Sequence, residues 1–247
     1  MSTIVLHEDE RIDDLQFANL HIIQSENDFR FSMDSVLLSD FATLQNRIKV
    51  CDLGTGTGII PLLLYGRNNT ISCDAVEILP SAAERAARSM ELNGVSQSIV
   101  VHCADLRDIR TLLPHGKYAL VTSNPPYASA GAAIPSPYPA IQGARQEETC
   151  TFEDIVVAVN WLLKYHGRFC FMLPAFRLAE AFSTLKAHQL EPKRIRMVHS
   201  KNGKEARLVL VEAMKGVSSG IQVLPPLIIH NDDGTDTEEL KRIYHQI

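Results

Sequence analysis

The sequence predicts an α/β fold built on a seven-stranded, mostly parallel sheet with an antiparallel last strand. Three observations carry this. From Lys49 onward, short runs rich in Val, Ile and Leu alternate with amphipathic stretches, the pattern of βαβ units around a parallel sheet. A glycine-rich turn, Gly54-Thr55-Gly56-Thr57-Gly58, follows the first apolar run directly. Asn202-Gly203 separates the last two extended runs, as a tight antiparallel hairpin requires. A chain of 247 residues with 45% hydrophobic content is long enough to bury a sizeable core.

In chain order, an extension over 1–48 is expected to carry one covering helix, 35–44, capped by Asp34. The sheet domain is expected over 49–215. Its strands are expected at 49–53, 70–76, 99–103, 118–123 and 168–173, followed by a hairpin of 194–199 and 207–213. A helix at 59–65 follows the glycine turn. Another at 81–93 is framed by Pro80 near its start and Gly94 just past its end. Thr151, with Glu153 and Asp154 behind it, reads as the N-cap of a helix that should end near Gly167. A further helix is expected over 175–188. Gly216 to Gly220 reads as a linker into a C-terminal extension, 216–247, holding one short capped helix after Thr235.

Bulk composition narrows the function. The balance of 24 basic against 29 acidic residues gives −5, which argues against coating nucleic acid by global attraction, so any such contact must be local. The five cysteines include no C-x-x-C pair. Cys51, Cys73, Cys103 and Cys170 lie in apolar runs and read as small buried hydrophobes in a reducing compartment. Nine scattered histidines without an H-E-x-x-H pairing give no reason to expect a metal. The charged stretch from His7 to Arg11 has none of the character of a signal peptide, and no apolar run approaches membrane-spanning length. The expectation is a cytoplasmic protein with no membrane partner.

Two motifs carry chemistry. In the first, a strand ending at Asp52 turns through Gly54, Thr55, Gly56 and Gly58 into a helix, which brings backbone N–H groups close to a ligand with no Cβ in the way. Dinucleotide sites use G-x-G-x-x-G, whereas these glycines run G-x-G-x-G, and Asp52 is placed to accept from an ammonium. This fits the amino acid end of S-adenosyl-L-methionine. Glu77, 19 positions past Gly58, is placed to take both ribose hydroxyls, and Asp105 to accept from the adenine amine.

The second motif is Asn124-Pro125-Pro126-Tyr127, at the end of a strand and 66 positions beyond Gly58. An exocyclic amine is a poor nucleophile because its lone pair is delocalised. Acceptors on the Asn124 side chain and the Pro125 carbonyl favour the tetrahedral geometry of attack, and the two prolines stiffen the loop. Tyr127 offers a face on which a flipped base can stack. Asn124 also borders the donor pocket. The four residues alone leave adenine, cytosine, guanine and glutamine amide open. The aperiodic stretch 128–148 is expected to fold over the target nucleotide, with Arg145 near a phosphate or the base and Tyr138 as a second stacking group. Seven of the residues from Glu191 to Lys215 are Lys or Arg, against three acids, and the candidate RNA contacts there are Arg196, Lys201, Lys204 and Arg207.

With these motifs in place, the chain resembles the bacterial valine-tRNA adenine N6-methyltransferases, relatives of the small-domain N-P-P-Y class I methyltransferases. The resembling pieces are Phe31 to Leu38, Asp52 to Gly58, Asn124 to Tyr127, Ala144 to Glu147, Val198 to Lys201 and Leu224 to Ile229. The resemblance implies a Rossmann-like methyltransferase sheet, a tRNA substrate and methyl transfer to the N6 of an adenine beside the anticodon. It also implies that Phe31 and Asp34 cover the methionine part of the donor. Ribosomal RNA and a release-factor glutamine remain open as acceptors. A nucleotide-binding module without catalysis and a dinucleotide oxidoreductase remain open as other classes.

Overall fold

A computed structural model describes residues 4–26, 32–125 and 150–246. The chain opens with β1 (Glu10–Asp14), β2 (His21–Ser25) and α1 (Met33–Phe41), then enters β3 (Lys49–Leu53), α2 (Ile59–Arg67), β4 (Ser72–Glu77), α3 (Pro80–Leu92) and β5 (Ile99–Cys103). After α4 (Ile109–Leu112) come β6 (Tyr118–Ser123), α5 (Phe152–Leu162), β7 (Leu163–Pro174) and α6 (Leu178–Ala187). The hairpin β8 (Leu190–Lys201) and β9 (Ala206–Lys215) follows, and β10 (Gln222–Val223), β11 (Leu227–His230) and α7 (Glu238–Ile243) close the chain.

The seven expected strands run β5-β4-β3-β6-β7-β9-β8 across the sheet, and β9 alone is antiparallel to its neighbours. Two short strands not expected from the sequence, β10 and β11, extend this sheet by pairing parallel to β8. Because side chains alternate along each strand, the sheet feeds two apolar layers. Val50, Leu120, Met172 and Leu210 pack under α1, α2 and α7, while Leu53, Val121, Phe171 and Val211 pack under α5 and α6.

Local chemistry sets most boundaries. Thr151 and Asp154 form a reciprocal capping box at the start of α5. Gly94, at φ 66°, ends α3 in the left-handed region. Three expectations are corrected. The covering helix starts at Met33 with Ser32 as N-cap, so Asp34 lies in its first turn and does not cap it. The helix expected to reach Gly167 stops at Leu162, because β7 begins at once with the buried Leu163 and returns to register with β6 through a bulge. Cys103 is exposed at the tip of β5, whereas Cys51, Cys73 and Cys170 are buried, their thiols pushed well up by desolvation.

The β1–β2 hairpin is tied to α3 through Glu10, whose side chain is 1% exposed. Its carboxylate accepts from Arg88 at 2.6 and 2.7 Å, from Arg85 Nε at 3.1 Å and from the backbone N–H of His7 at 3.0 Å. The Arg88 hydrogen bonds hold its carboxyl down at about 2, against the opposing effect of burial. A depressed carboxylate stabilises the fold fully above its ordinary value of 4.5, and that contribution disappears as the pH falls through about 2. Glu10→Ala removes the buried carboxylate shared by Arg85 and Arg88, leaving Arg88 the half-exposed Glu84 as its carboxylate partner, at a cost of roughly 3 kcal/mol. Thermal melts at pH 7 should show a drop of roughly 6–12 °C. The gap between wild type and variant should narrow between pH 4.5 and 2, and a constant gap would exclude Glu10 as the titrating group.

Candidate active site

The sheet reverses its winding at β3, which lies between β4 and β6. Open α/β sheets bind ligands outside the carboxyl ends of the strands at such a point. There the register sets Asp52 beside Thr122 and Leu53 beside Ser123, so the loops opening at Gly54 and Asn124 leave the sheet next to each other.

Asp52 is 1% exposed. Its Oδ1 accepts from the Thr122 hydroxyl at 2.6 Å, while neither the buried Oδ2 nor the buried Thr55 hydroxyl has a hydrogen-bond partner within normal distance among the described residues. Desolvation pushes the carboxyl up to about 7, opposed by the hydrogen bond from Thr122 and by the neighbouring Thr55 hydroxyl, which lies near the carboxylate without closing a normal hydrogen bond. A buried carboxylate oxygen left open at a strand tip is an acceptor waiting for a donor.

The glycine loop is held by β4. Gly54 and Thr55 donate their N–H groups to the Val76 carbonyl at 2.9 and 3.0 Å. The N–H of Gly56 reaches Glu77 Oε2 at 2.8 Å, and Leu79 donates to Oε1 at 2.9 Å. Glu77, 5% exposed, therefore shapes the loop with the same carboxylate expected to meet a ribose. Gly54, Gly56 and Gly58 all have positive φ, at 70°, 56° and 84°.

Their surroundings differ. Among the described residues a Cβ at Gly54 or Gly56 would meet nothing within 4 Å, whereas one at Gly58 would sit 2.5 Å from Met90 Cε and 3.3 Å from Ala86 Cβ in α3. Gly58 serves packing, while the first two border open space among the described residues. Gly56→Ala should therefore cost about 1–2 kcal/mol of backbone strain and put a methyl group into the ligand space. Gly58→Ala adds a clash to a similar strain. Melting in the presence and absence of S-adenosylhomocysteine should show the larger loss of ligand-free stability for Gly58→Ala. Equal losses would mean that Gly58 has no special packing role.

Asp105 follows β5, where its carboxylate takes the backbone N–H of Arg107 at 2.9 Å and its guanidinium at 2.5 to 3.0 Å. Arg107 holds the carboxyl below the usual range. Asn124 and Pro125 are half-buried at the tip of β6, where the Ser123 hydroxyl donates to the Leu53 carbonyl at 2.9 Å and locks the two loop origins together. The readings for Phe31, Pro126, Tyr127, Tyr138 and Arg145 lie outside the described residues. Asp34 acts on the C-terminal extension: its charge helps to raise the Tyr244 hydroxyl, after burial and Asp236.

Most of the basic hairpin is engaged within the protein. Arg196 donates to the Pro225 carbonyl at 3.0 Å and to Glu239 at 2.6 Å, and Lys201 donates to the Asp232 carbonyl at 3.1 Å. Lys193, Arg194 and Lys215 likewise donate to Ser218, Phe41 and Asn160 carbonyls. Lys204 and Arg207 are exposed, and their cations have no partner among the described residues. Thr122 escaped sequence reasoning. Thr122 is a lone hydroxyl in an apolar strand, and its role becomes visible only once β6 is set beside β3.

Among the described residues no group of three or more His, Cys, Asp or Glu side chains could hold a metal, and no helix is long and apolar enough to cross a membrane.

Several known proteins are similar to this chain. A tRNA1(Val) (adenine(37)-N6)-methyltransferase from Musicola paradisiaca is 33% identical over 168 residues, 68% of this chain and 66% of the relative, just under two thirds of its length. The enzyme of that name from Cronobacter sakazakii is 31% identical over 70% of this chain and 69% of its own. The one from Aliivibrio salmonicida is 26% identical over 93% and 95%. Among solved structures, an Agrobacterium tumefaciens protein described as a predicted O-methyltransferase superimposes with a TM-score of 0.71 at 22% identity, covering 86% of this chain and 95% of that one. Geranyl diphosphate C-methyltransferase from Streptomyces coelicolor, in complex with S-adenosyl-L-homocysteine, gives 0.54 at 12% identity over 73% and 76%. These two share the Rossmann-like methyltransferase fold. The family model of the methyltransferase small domain matches residues 16–173, and the chain belongs to that family.

Proposed function

We propose that this protein transfers a methyl group from S-adenosyl-L-methionine to the exocyclic N6 amine of an adenine in tRNA, next to the anticodon. One observation carries the chemistry: the open, buried Oδ2 of Asp52 lies at the strand tip directly beside the origin of the Asn124 loop. The relatives named for this activity carry the choice of acceptor. Action on tRNA implies a cytoplasmic location.

The residues present fit the donor. Asp52 offers an acceptor for an ammonium, the space beside Gly54 and Gly56 admits a ligand against the loop backbone, and Glu77 and Asp105 stand at the next two strand tips. Bound S-adenosyl-L-methionine supplies a methyl group on a positively charged sulfur. Glu77 has lone pairs to spare for ribose hydroxyls while it holds Gly56 and Leu79. Asp105 serves as an acceptor for an adenine amine alongside its Arg107 pair. At the acceptor, the Asn124 side-chain oxygen and the Pro125 carbonyl take hydrogen bonds from the target amine, so the nitrogen lone pair turns out of conjugation as it attacks. The chain needs no strong base, because the amine becomes acidic once it carries the added methyl and its proton leaves afterwards.

The test is incubation of the purified protein with labelled S-adenosyl-L-methionine and, separately, unmodified tRNA, ribosomal RNA, DNA and release factor, each product then being digested to its methylated unit. N6-methyladenosine from tRNA alone is the expected result. Label in glutamine would overturn the RNA acceptor and keep the donor site, while no label in any pool would reject the catalytic reading.

A further inference from the structure

Phe176 is 70% exposed, although Leu178 and Phe182 beside it pack into the core. It occupies a 3-10 turn, Ala175–Arg177, that follows the last residue of β7. The position of that turn is set by register. Ser123 of β6 pairs with Phe171 of β7, so the chain leaves β6 at Asn124 level with Met172, and β7 continues past it to Pro174. At about 3.3 Å per strand residue, the turn lies roughly 10 Å beyond Asn124, on the side of β6 away from the donor loops of β3, β4 and β5.

On its other side, β7 pairs with β9 through Pro174 and Leu208, which puts Arg207 at the edge of the turn. Arg207 and Lys204 are the two cations of the hairpin that have no partner among the described residues. An exposed aromatic face thus stands between the Asn124 loop and two uncommitted cations, all at one rim of the sheet. Recognition of single-stranded nucleic acid uses this pairing: unstacked bases lie on aromatic faces, and the intervening phosphates meet Arg and Lys.

We propose that Phe176 is a stacking platform for a nucleobase flanking the target adenine in a single-stranded tRNA loop, with Arg207 and Lys204 on the adjoining phosphates. This rests on the tRNA reading of the site. It assigns Phe176 to substrate positioning, separate from the donor pocket and from the Asn124 chemistry.

The test compares wild type with Phe176→Ala, Phe176→Trp and Arg207→Ala for methylation of unmodified tRNA at saturating S-adenosyl-L-methionine. Melting with S-adenosylhomocysteine serves as a control of fold and donor site. Phe176→Ala should raise KM for tRNA roughly 5- to 150-fold, the range for losing one base stack. Its kcat and its melting shift should stay close to wild type, and Phe176→Trp should restore KM. A tRNA with an abasic site in place of the stacked neighbour should raise KM for the wild type and have little further effect on Phe176→Ala. Arg207→Ala should raise KM and flatten its salt dependence. If the wild type makes N6-methyladenosine in tRNA while Phe176→Ala keeps the wild-type KM, or no abasic position near the target removes the difference between the two proteins, the platform is refuted and the tRNA reading stands. If the wild type methylates no tRNA adenine, both fall together.

Discussion

Asn124→Ala is expected to lower kcat for methyl transfer by about 10²–10³-fold, the loss seen when one preorganised polar group at a reacting centre is removed. The loop holding Asn124 is built to keep its amide still. Ser123, one residue earlier, is fully buried and its hydroxyl is fixed on the Leu53 carbonyl at 2.9 Å. Pro125, one residue later, biases the Asn124 backbone toward extended conformations. In the proposed reaction the side-chain oxygen would meet the amine with little reorganisation, which is where such a group acquires its catalytic worth. Single-turnover assays with saturating donor and tRNA separate this loss from weaker binding. Affinity for S-adenosylhomocysteine should fall far less than the rate, because Asp52, Glu77 and the glycine backbone remain. Asn124→Asp keeps an oxygen acceptor and should retain more activity than Asn124→Ala. A fall in rate of less than about tenfold in Asn124→Ala would remove Asn124 from the chemistry.

The parts of this fold that were legible in the sequence are those whose cause is local. The bounds of β3, β5 and β6 match their apolar runs because the residue types change abruptly at their ends, to glycine after Leu53 and to Asn-Pro after Ser123. The capping box at Thr151 and the left-handed Gly94 are likewise signals a few residues long. What could not be read depends on distant partners. The β1 sequence, Glu10-Arg11-Ile12-Asp13-Asp14, has no apolar face of its own, and its pairing is backed by an ion pair between Glu10 and Arg85, 75 positions away. The basic hairpin looked like an open cationic face. Arg196 and Lys201 instead meet Pro225, Glu239 and Asp232, in a C-terminal extension whose strands are too short to announce themselves. At the site, the acids on the strand tips could be found from spacing, whereas the grip of Glu77 on Gly56 and the hydroxyl of Thr122 on Asp52 appear only when neighbouring strands are brought together.

Asp52→Asn should have opposite effects on stability and on donor binding. In the ligand-free protein, burial raises this carboxyl to about 7 from an ordinary 3.8. The folded state thus holds its proton after the unfolded state has released it. Stability conferred by the protonated form is complete below 3.8 and is lost as the pH rises through about 7, by up to roughly 4 kcal/mol. The asparagine cannot ionise and still offers an oxygen to the Thr122 hydroxyl, so Asp52→Asn should melt higher than wild type at pH 8 and much closer to it at pH 5. Donor binding runs the other way. An ammonium against Oδ2 favours the carboxylate, so wild-type affinity for S-adenosylhomocysteine should rise between pH 6 and 8, with a proton released on binding. Asp52→Asn leaves that ammonium without its counter-charge, and losing one partner of a buried pair costs roughly 3–5 kcal/mol, two to three orders of magnitude or more in Kd. Titration calorimetry in buffers of different ionisation enthalpy measures the affinity and the proton together. A pH-independent affinity with no proton released would show that Asp52 is already ionised in the free protein, and wild-type affinity in Asp52→Asn would remove it from the donor site.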